Sequence, residues 1–256
     1  MGSRIRSTLA WALLLAILLP AVPIFWIGHL LTGPFDRRRD GFRKATSAWI
    51  SLYAILTPLY RFRLEGTANL PRRGPYVLVA NHESGLDVLS LLRLRTPSRF
   101  LVNASLFRIP LARWFFGLAR HIPLELGNAE SGRRALERAG RALAEGTPVA
   151  VFPEGELLPE GMGAFRPGAF VAAKRAGVAI VPVLLEGAGS VWAPGSFTVQ
   201  GVHEIRVAVL PPVGVDHVAK LSVEELSARV RSLLLAARRY TGERDRANEP
   251  QGQPDL

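Results

Sequence analysis

Cysteine is absent from all 256 residues, which excludes disulfides, thiolate nucleophiles and Cys-ligated zinc and agrees with a reducing compartment. Histidine is scarce, with five in all. A His-Glu-x-x-His zinc site is excluded as well, because Leu86 stands where the second His would follow His82-Glu83. No metal site is expected. Acidic residues are outnumbered, 21 Asp and Glu against 32 Lys and Arg, for a net charge of +11. The imbalance is confined to one half: residues 1–126 carry 17 basic and 6 acidic side chains, residues 127–256 carry 15 of each. Neither zinc-finger spacing nor an aromatic-interleaved basic motif accompanies that charge, so nucleic acid is not expected as a partner. No internal repeat is present.

Charge of either sign is missing from residues 7–35. Their core, residues 9–31, is long enough as a helix to cross about 30 Å of hydrocarbon. Arg4 and Arg6 precede it, and Arg37, Arg38, Arg39, Arg43 and Lys44 follow. Positive charge on both flanks leaves orientation open under the positive-inside rule, with the heavier cluster C-terminal. Basic residues beside an apolar anchor suit an anionic bilayer. Pro20 and Pro23 fall inside the run and would kink a spanning helix or turn a re-entrant hairpin. A signal peptide is the alternative, since the basic start and the apolar stretch 9–19 fit its first two regions, although the run continues well beyond them and no convincing small-x-small cleavage site follows. A second apolar segment, residues 48–60, carries Trp49, Tyr53 and Tyr60, residues that favour a membrane interface. It is either the second helix of an anchor over residues 1–60 or a helix packed on the core.

From residue 61 the pattern alternates. Strands are predicted at 61–65, 76–80, 99–102, 149–152, 180–185 and 204–210, and helices at 87–94, 105–118, 130–144, 168–176 and 222–240. The fold class is α/β, a mixed sheet flanked by helices, with an N-terminal membrane-associated helical segment. Residues 61–240 form the main domain, and 241–256, polar with Pro and Gly, a disordered tail.

The stretch Asn81-His82-Glu83-Ser84-Gly85-Leu86-Asp87 leaves the buried strand at 76–80 and leads into a helix. That edge of an α/β sheet is where strand ends and helix N-termini converge on a crevice. With His82 on the loop and Asp87 in the first helical turn, the carboxylate can fold back onto one ring nitrogen. The other nitrogen is then free as a general base. The plainer alternative is a helix entry capped by Asn81 and Ser84 with His82 half-exposed. Some seventy residues on, the strand at 149–152 ends in Phe152-Pro153-Glu154-Gly155, again a carboxylate and a flexible Gly at a strand end.

Asn-His-x-Ser-x-x-Asp followed at this distance by Phe-Pro-Glu-Gly resembles the glycerolipid acyltransferase family, whose best-known members acylate lysophosphatidic acid; the similarity runs over residues 60–212. The resemblance implies transfer of a fatty acyl group from a thioester, acyl-CoA or acyl carrier protein, to a lysolipid hydroxyl, with no further cofactor. It implies His82 as the base and Asp87 as its orienting partner. Asn81, Ser84, Glu154, Gly155 and Arg166 would shape or line the acceptor site. It also implies membrane lipids as partners and a cell-membrane location with the catalytic domain facing the cytoplasm. Four positions depart from the family pattern: Asn103 where a Lys is usual, Arg113 for Gly, Leu126 for Arg, and Leu157 for Arg or a polar residue.

Missing basic residues bear on the acceptor's phosphate, since an Arg fork suits that group. Arg113, Arg120, Arg166 and Lys174 are the alternative sources of charge. The expected product is phosphatidic acid from 1-acyl-sn-glycerol-3-phosphate. A phosphate-free acceptor such as a lyso-aminolipid, a thioesterase using the same His and Asp, and a non-catalytic lipid-binding relative stand beside it. Val181-Pro182-Val183 with Glu186-Gly187 resembles a further family block, or is a buried strand with its turn. Leu106, Phe107, Trp114, Phe115 and Phe116 would line an acyl channel or pack as core.

Overall fold

The structure, a computed structural model, describes residues 3–32, 35–36, 39–57, 60–158, 161–192, 198 and 203–248. In chain order the elements are α1 (Ser3–Thr32), α2 (Asp40–Leu56), β1 (Tyr60–Glu65), β2 (Val77–Ala80), α3 (Leu86–Leu92), β3 (Arg99–Asn103), α4 (Pro110–Leu118), β4 (Ile122–Leu124) and α5 (Ala129–Ala144). There follow β5 (Val149–Val151), α6 (Gly168–Ala176), β6 (Ile180–Glu186), α7 (Ala188–Val191), β7 (His203–Val209), α8 (Val215–Lys220) and α9 (Val223–Asn248).

The strands form one seven-stranded sheet in the order β1-β7-β6-β2-β5-β3-β4. Pairing is parallel throughout except between β6 and β7, so the sheet is mixed and helices flank both faces. Successive strand residues point to opposite faces. Val77, Val79, Val149 and Leu184 pack with α5, α6 and α9 through Ala139, Leu143, Phe170, Ala173, Leu226 and Leu234. Leu78, Ala80, Ala150, Val183 and Leu185 pack on the other face with Leu91 and Leu94 at α3.

β4 is an element that the sequence pattern does not predict. It is three residues long and carries Pro123, but it lies at the sheet's outer edge, where a missing N–H removes no ladder bond. The helix expected at 105–118 is divided into a 3₁₀ turn, Ala104–Arg108, and α4. Pro110 opens α4 and holds Ile109 extended, since a residue before proline is pushed out of the helical region. α9 runs to Asn248, past the expected boundary at Tyr240. Gly242 lies within that helical run, and Pro250 is the first strong breaker beyond it. The remainder of the expected tail lies outside the described residues.

α1 and α2 form an antiparallel helical hairpin. Phe25 meets Phe42 and Trp49 edge-on near the hairpin's closed end, and Ala10 and Ile17 share a cluster with Tyr53 near the other. Despite Pro20 and Pro23, α1 is a single helix, not a re-entrant turn. Pro20 cannot donate to the preceding turn, and the Trp49 indole N–H donates to the neighbouring Ile17 carbonyl at 2.9 Å. α1 is long and apolar enough to cross a membrane, and Leu9, Leu15, Leu19, Trp26, Ile27 and Leu30 are exposed along it. One face is held to the domain, where Trp11 meets Trp192 edge-on with ring centroids 5.3 Å apart.

Phe170 is fully buried between α6 and the sheet. Phe170→Ala is expected to lower the unfolding free energy by about 3–5 kcal/mol, measured by denaturant titration in detergent. A loss below about 1 kcal/mol would show that this layer does not anchor the domain.

Candidate active site

β2 and β5 are adjacent and parallel, with Val79 opposite Val151, so the loops that leave them emerge side by side at one sheet edge. The first carries His82, the second Glu154. The two are bonded directly: the His82 backbone N–H donates to Glu154 Oε1 at 3.0 Å. Glu154 Oε2 accepts from the Gly163 N–H at 2.7 Å, and the His82 carbonyl accepts from the Leu158 N–H at 2.7 Å. Glu154 is therefore a buried clamp between loops, with both oxygens occupied.

Asp87 sits in the first turn of α3 and reaches back over the loop. Its fully buried carboxylate gathers three donors on Oδ2: His82 Nδ1 at 2.8 Å, the Glu83 N–H at 2.6 Å and the Ser84 N–H at 2.8 Å. An ionised carboxylate only accepts, so Nδ1 carries the ring proton and Nε2 keeps its lone pair. Nε2 has no protein partner among the described residues. The ring stacks on Phe152 with centroids 3.9 Å apart and planes 12° from parallel, which fixes its tilt. His82 remains partly open to solvent, with 18% of its side chain exposed.

Asn81 and Ser84 are fully buried and belong to the frame of the loop. The Asn81 side chain substitutes for a strand pair: Nδ2 donates to the Leu185 carbonyl and Oδ1 accepts from the Leu185 N–H, both at 2.8 Å. Ser84 Oγ donates to the Trp192 carbonyl at 2.6 Å and so ties the loop to the segment that packs on α1. Gly155 has φ +78°, where an L side chain is strained. A Cβ there would stand 2.7 Å from Arg166 Nε and 3.2 Å from Leu126 Cδ2. Arg166 thus passes over Gly155 beside Leu126, with Nε donating to the Glu154 carbonyl at 3.3 Å, and remains exposed.

Of the other expected sources of charge, Lys174 Nζ donates to the carbonyls of Ala219 and Leu221 at 2.8 and 2.6 Å, closing the end of α8. Arg120 follows α4 near the start of β4, the opposite edge of the sheet. Arg113 is exposed on α4. Asn103 caps a 3₁₀ turn through the Ser105 N–H, Leu126 is 37% exposed, and Leu157 is half-buried. Glu186 pairs with Arg206 at 2.7 Å, and Gly187 takes a positive φ against the Glu204 carbonyl, the turn of a buried strand. Phe107, Phe115 and Phe116 pack around one another and His121.

Glu83 and its partner were not singled out by the sequence. Glu83 is buried, and its Oε1 accepts from Arg238 Nη2 of α9 at 2.8 Å. Arg238 Nη1 donates to the Gly161 carbonyl, while Arg231 donates to those of Gly163 and Met162. One face of α9 therefore holds the loop that in turn holds Glu154. A motif position without an assigned role and an Arg 155 residues away offer no joint signal in sequence. Burial pushes the Glu83 carboxyl from 4.5 up to about 7, against the pull of Arg238, with Asp87 and Glu186 adding to the rise. Burial also raises Glu154, opposed by the N–H groups of Gly163 and His82. No group of three or more His, Cys, Asp or Glu able to hold a metal occurs among the described residues.

A family model described as Acyltransferase matches residues 61–186. A chloroplastic 1-acyl-sn-glycerol-3-phosphate acyltransferase of Arabidopsis thaliana is 35% identical over 192 residues, covering 73% of this chain and 53% of that protein. An enzyme of the same name from Chlamydomonas reinhardtii is 33% identical over 220 residues, covering 82% and 64%. The chain thus spans between about half and two thirds of the length of these relatives. A bacterial protein of that name from Pseudomonas aeruginosa is 26% identical, covering 80% of this chain and 79% of its own. The crystal structure of the 1-acyl-sn-glycerophosphate acyltransferase of Thermotoga maritima superposes with a TM-score of 0.72 at 21% identity, over 92% of this chain and 95% of that one. It shares the fold.

Because the folded state holds the Glu83 proton that the unfolded chain releases, stability should fall as pH rises between 4.5 and about 7. Glu83→Gln removes this titration. Denaturation at about pH 5 and about pH 8 should show wild type losing on the order of 2 kcal/mol more than the variant. Parallel pH dependence in the two proteins would refute the assignment.

Proposed function

This chain belongs to the acyltransferase family, and on that premise we propose that it moves a fatty acyl group from acyl-CoA or acyl carrier protein to the hydroxyl of a lysolipid. The acceptor proposed is 1-acyl-sn-glycerol-3-phosphate, giving phosphatidic acid. The observation that carries the reading is the His82–Asp87 pair, with Nδ1 held at 2.8 Å and Nε2 without a protein partner among the described residues.

His82 Nε2 takes the proton of the acceptor hydroxyl as its oxygen attacks the thioester carbonyl carbon. The resulting oxyanion collapses, the carbon–sulfur bond breaks, and the thiolate leaves with the proton returned from His82. The imidazolium formed between these steps is stabilised by Asp87, whose carboxylate is already oriented by two backbone N–H groups and needs no reorganisation. Both substrates react directly, so no acyl-enzyme is required.

Arg166 supports a phosphate-bearing acceptor, since its exposed side chain lies beside Leu126 and Gly155. It offers a guanidinium near the position where the family pattern has its Arg. The apolar surface of α1 supports attachment to a membrane, with membrane lipids as partners; the cell membrane, with the catalytic domain on its cytoplasmic side, is the location proposed. Leu126 and Leu157 favour a second reading, a phosphate-free lysolipid acceptor.

The test is transfer from labelled acyl-CoA and acyl carrier protein to a panel of lysolipids. Transfer to 1-acyl-sn-glycerol-3-phosphate is expected, reduced about a thousandfold in kcat by His82→Ala. Arg166→Gln should raise KM for the phosphate-bearing acceptor while leaving that for a phosphate-free one unchanged. Equal use of a lyso-aminolipid would establish the second reading, release of free fatty acid without an acceptor a thioesterase, and no turnover a non-catalytic lipid-binding role.

A further inference from the structure

At the edge of the sheet opposite His82, the starts of β3 and β4 and the last turns of α5 enclose a recess. It is lined by Arg99, Arg120, His121, Arg138, Arg141 and Glu145. Because β3 and β4 run parallel to β2 and β5, the start of β3 lies away from the strand ends that carry His82 and Glu154. Four guanidinium groups face a single carboxylate, and that carboxylate is committed: Glu145 Oε2 accepts from Arg99 Nη2 at 2.6 Å. The recess therefore holds three positive charges in excess.

Its inner wall is built of donors. The Arg99 side chain is 8% exposed and fixed by its pair with Glu145, so it is a preset part of that wall. His121 Nδ1 accepts from the Phe100 N–H at 3.1 Å, so the ring proton sits on Nε2 and the imidazole is a neutral donor. Burial lowers its pKa to about 3, reinforced by Arg43 and Arg99, so it does not add a fifth charge.

Arginines on the last turns of a helix commonly answer its carbonyl dipole, which accounts for Arg138 and Arg141 alone. Arg99 and Arg120 come from other elements, and Arg120 is held in the left-handed region at φ 55°, a conformation unfavourable for an L-residue. Arg43 of α2 donates to the Pro97 and Ala119 carbonyls, the residues leading to Arg99 and preceding Arg120. This sets the recess at the foot of the apolar hairpin.

We propose that this recess is a phosphate-binding site separate from the His82 site, taking a group of charge −2 or more: a phosphomonoester or a diphosphate. Several guanidinium forks converging on one recess match a tetrahedral, multiply charged oxyanion better than a planar carboxylate of charge −1. The group is either a phosphomonoester lipid headgroup beside the hairpin or a soluble diphosphate. The proposal concerns binding alone and stands whether or not acyl transfer at His82 is confirmed.

The test uses the full chain in detergent at about 0.15 M ionic strength, with inorganic pyrophosphate as the probe, followed by calorimetry and by the rise in melting temperature that binding to the folded state produces. Saturable binding is expected, weakened at least about tenfold in the double variant Arg138→Gln and Arg141→Gln, which removes two guanidinium contacts. Both side chains are exposed on α5, so the fold should not depend on them; an unchanged melting temperature without ligand verifies this. Arg133→Gln with Arg134→Gln is the control, because these residues of the same helix pair with Glu130 and Glu137 outside the recess, and it should bind as wild type. Displacement of pyrophosphate by dioctanoyl phosphatidic acid but not by dioctanoyl phosphatidylcholine identifies the lipid headgroup; binding without displacement identifies a soluble diphosphate. No saturable binding, or equal affinity in the Arg138 and Arg141 double variant, overturns the proposal.

Discussion

Three residues of parallel pairing, Val77–Val79 of β2 against Val149–Val151 of β5, bring together loops separated by some seventy positions in the chain. Because both strands end at the same edge, the residues that follow must share a crevice. The Glu154 clamp then converts proximity into fixed geometry, since one carboxylate accepts the N–H of His82 on one oxygen and that of Gly163 on the other. Shifting the register would place these groups on the wrong faces, because side chains alternate along a strand.

Around one imidazole the chain has buried three carboxylates, and each is stabilised differently. Asp87 accepts two backbone N–H groups besides the ring nitrogen. Glu154 is held by two N–H groups, whereas Glu83 relies chiefly on Arg238 from α9. Burying an acid without such partners costs several kcal/mol, so the frame around His82 extends to the C-terminal helix. Arg231 and Arg238 carry that support, each donating to the 161–163 loop as well.

Basic side chains gather at both edges of the sheet. Arg166 stands beside the Gly155 turn at the His82 edge, while Arg99 and Arg120 face Arg138 and Arg141 at the opposite edge. α1 and α2 touch both regions, through Trp11 on Trp192 near the site loop and through Arg43 on the turns before Arg99 and after α4. An apolar hairpin so attached sets both edges relative to whatever surface receives its exposed leucines.

The alternating pattern, the exit of His82 from one buried strand and of Glu154 from another, and the reach of Asp87 back to the ring were legible because they depend on local periodicity and short spacing. The two chemistry-bearing motifs, in their order, also carried the family resemblance. Tertiary structure decided the rest. Asn81, Ser84 and Glu154 have side chains suited either to substrate or to holding the loop, and only the assembled sheet supplies their partners on Leu185, Trp192 and Gly163. The β4 strand was hidden by its proline, tolerated only because the strand is at an edge. The pairing of Glu83 with Arg238 and the meeting of four arginines at the far edge join elements distant in sequence. Periodicity records which face of an element is buried, but not which distant side chain will stand opposite it.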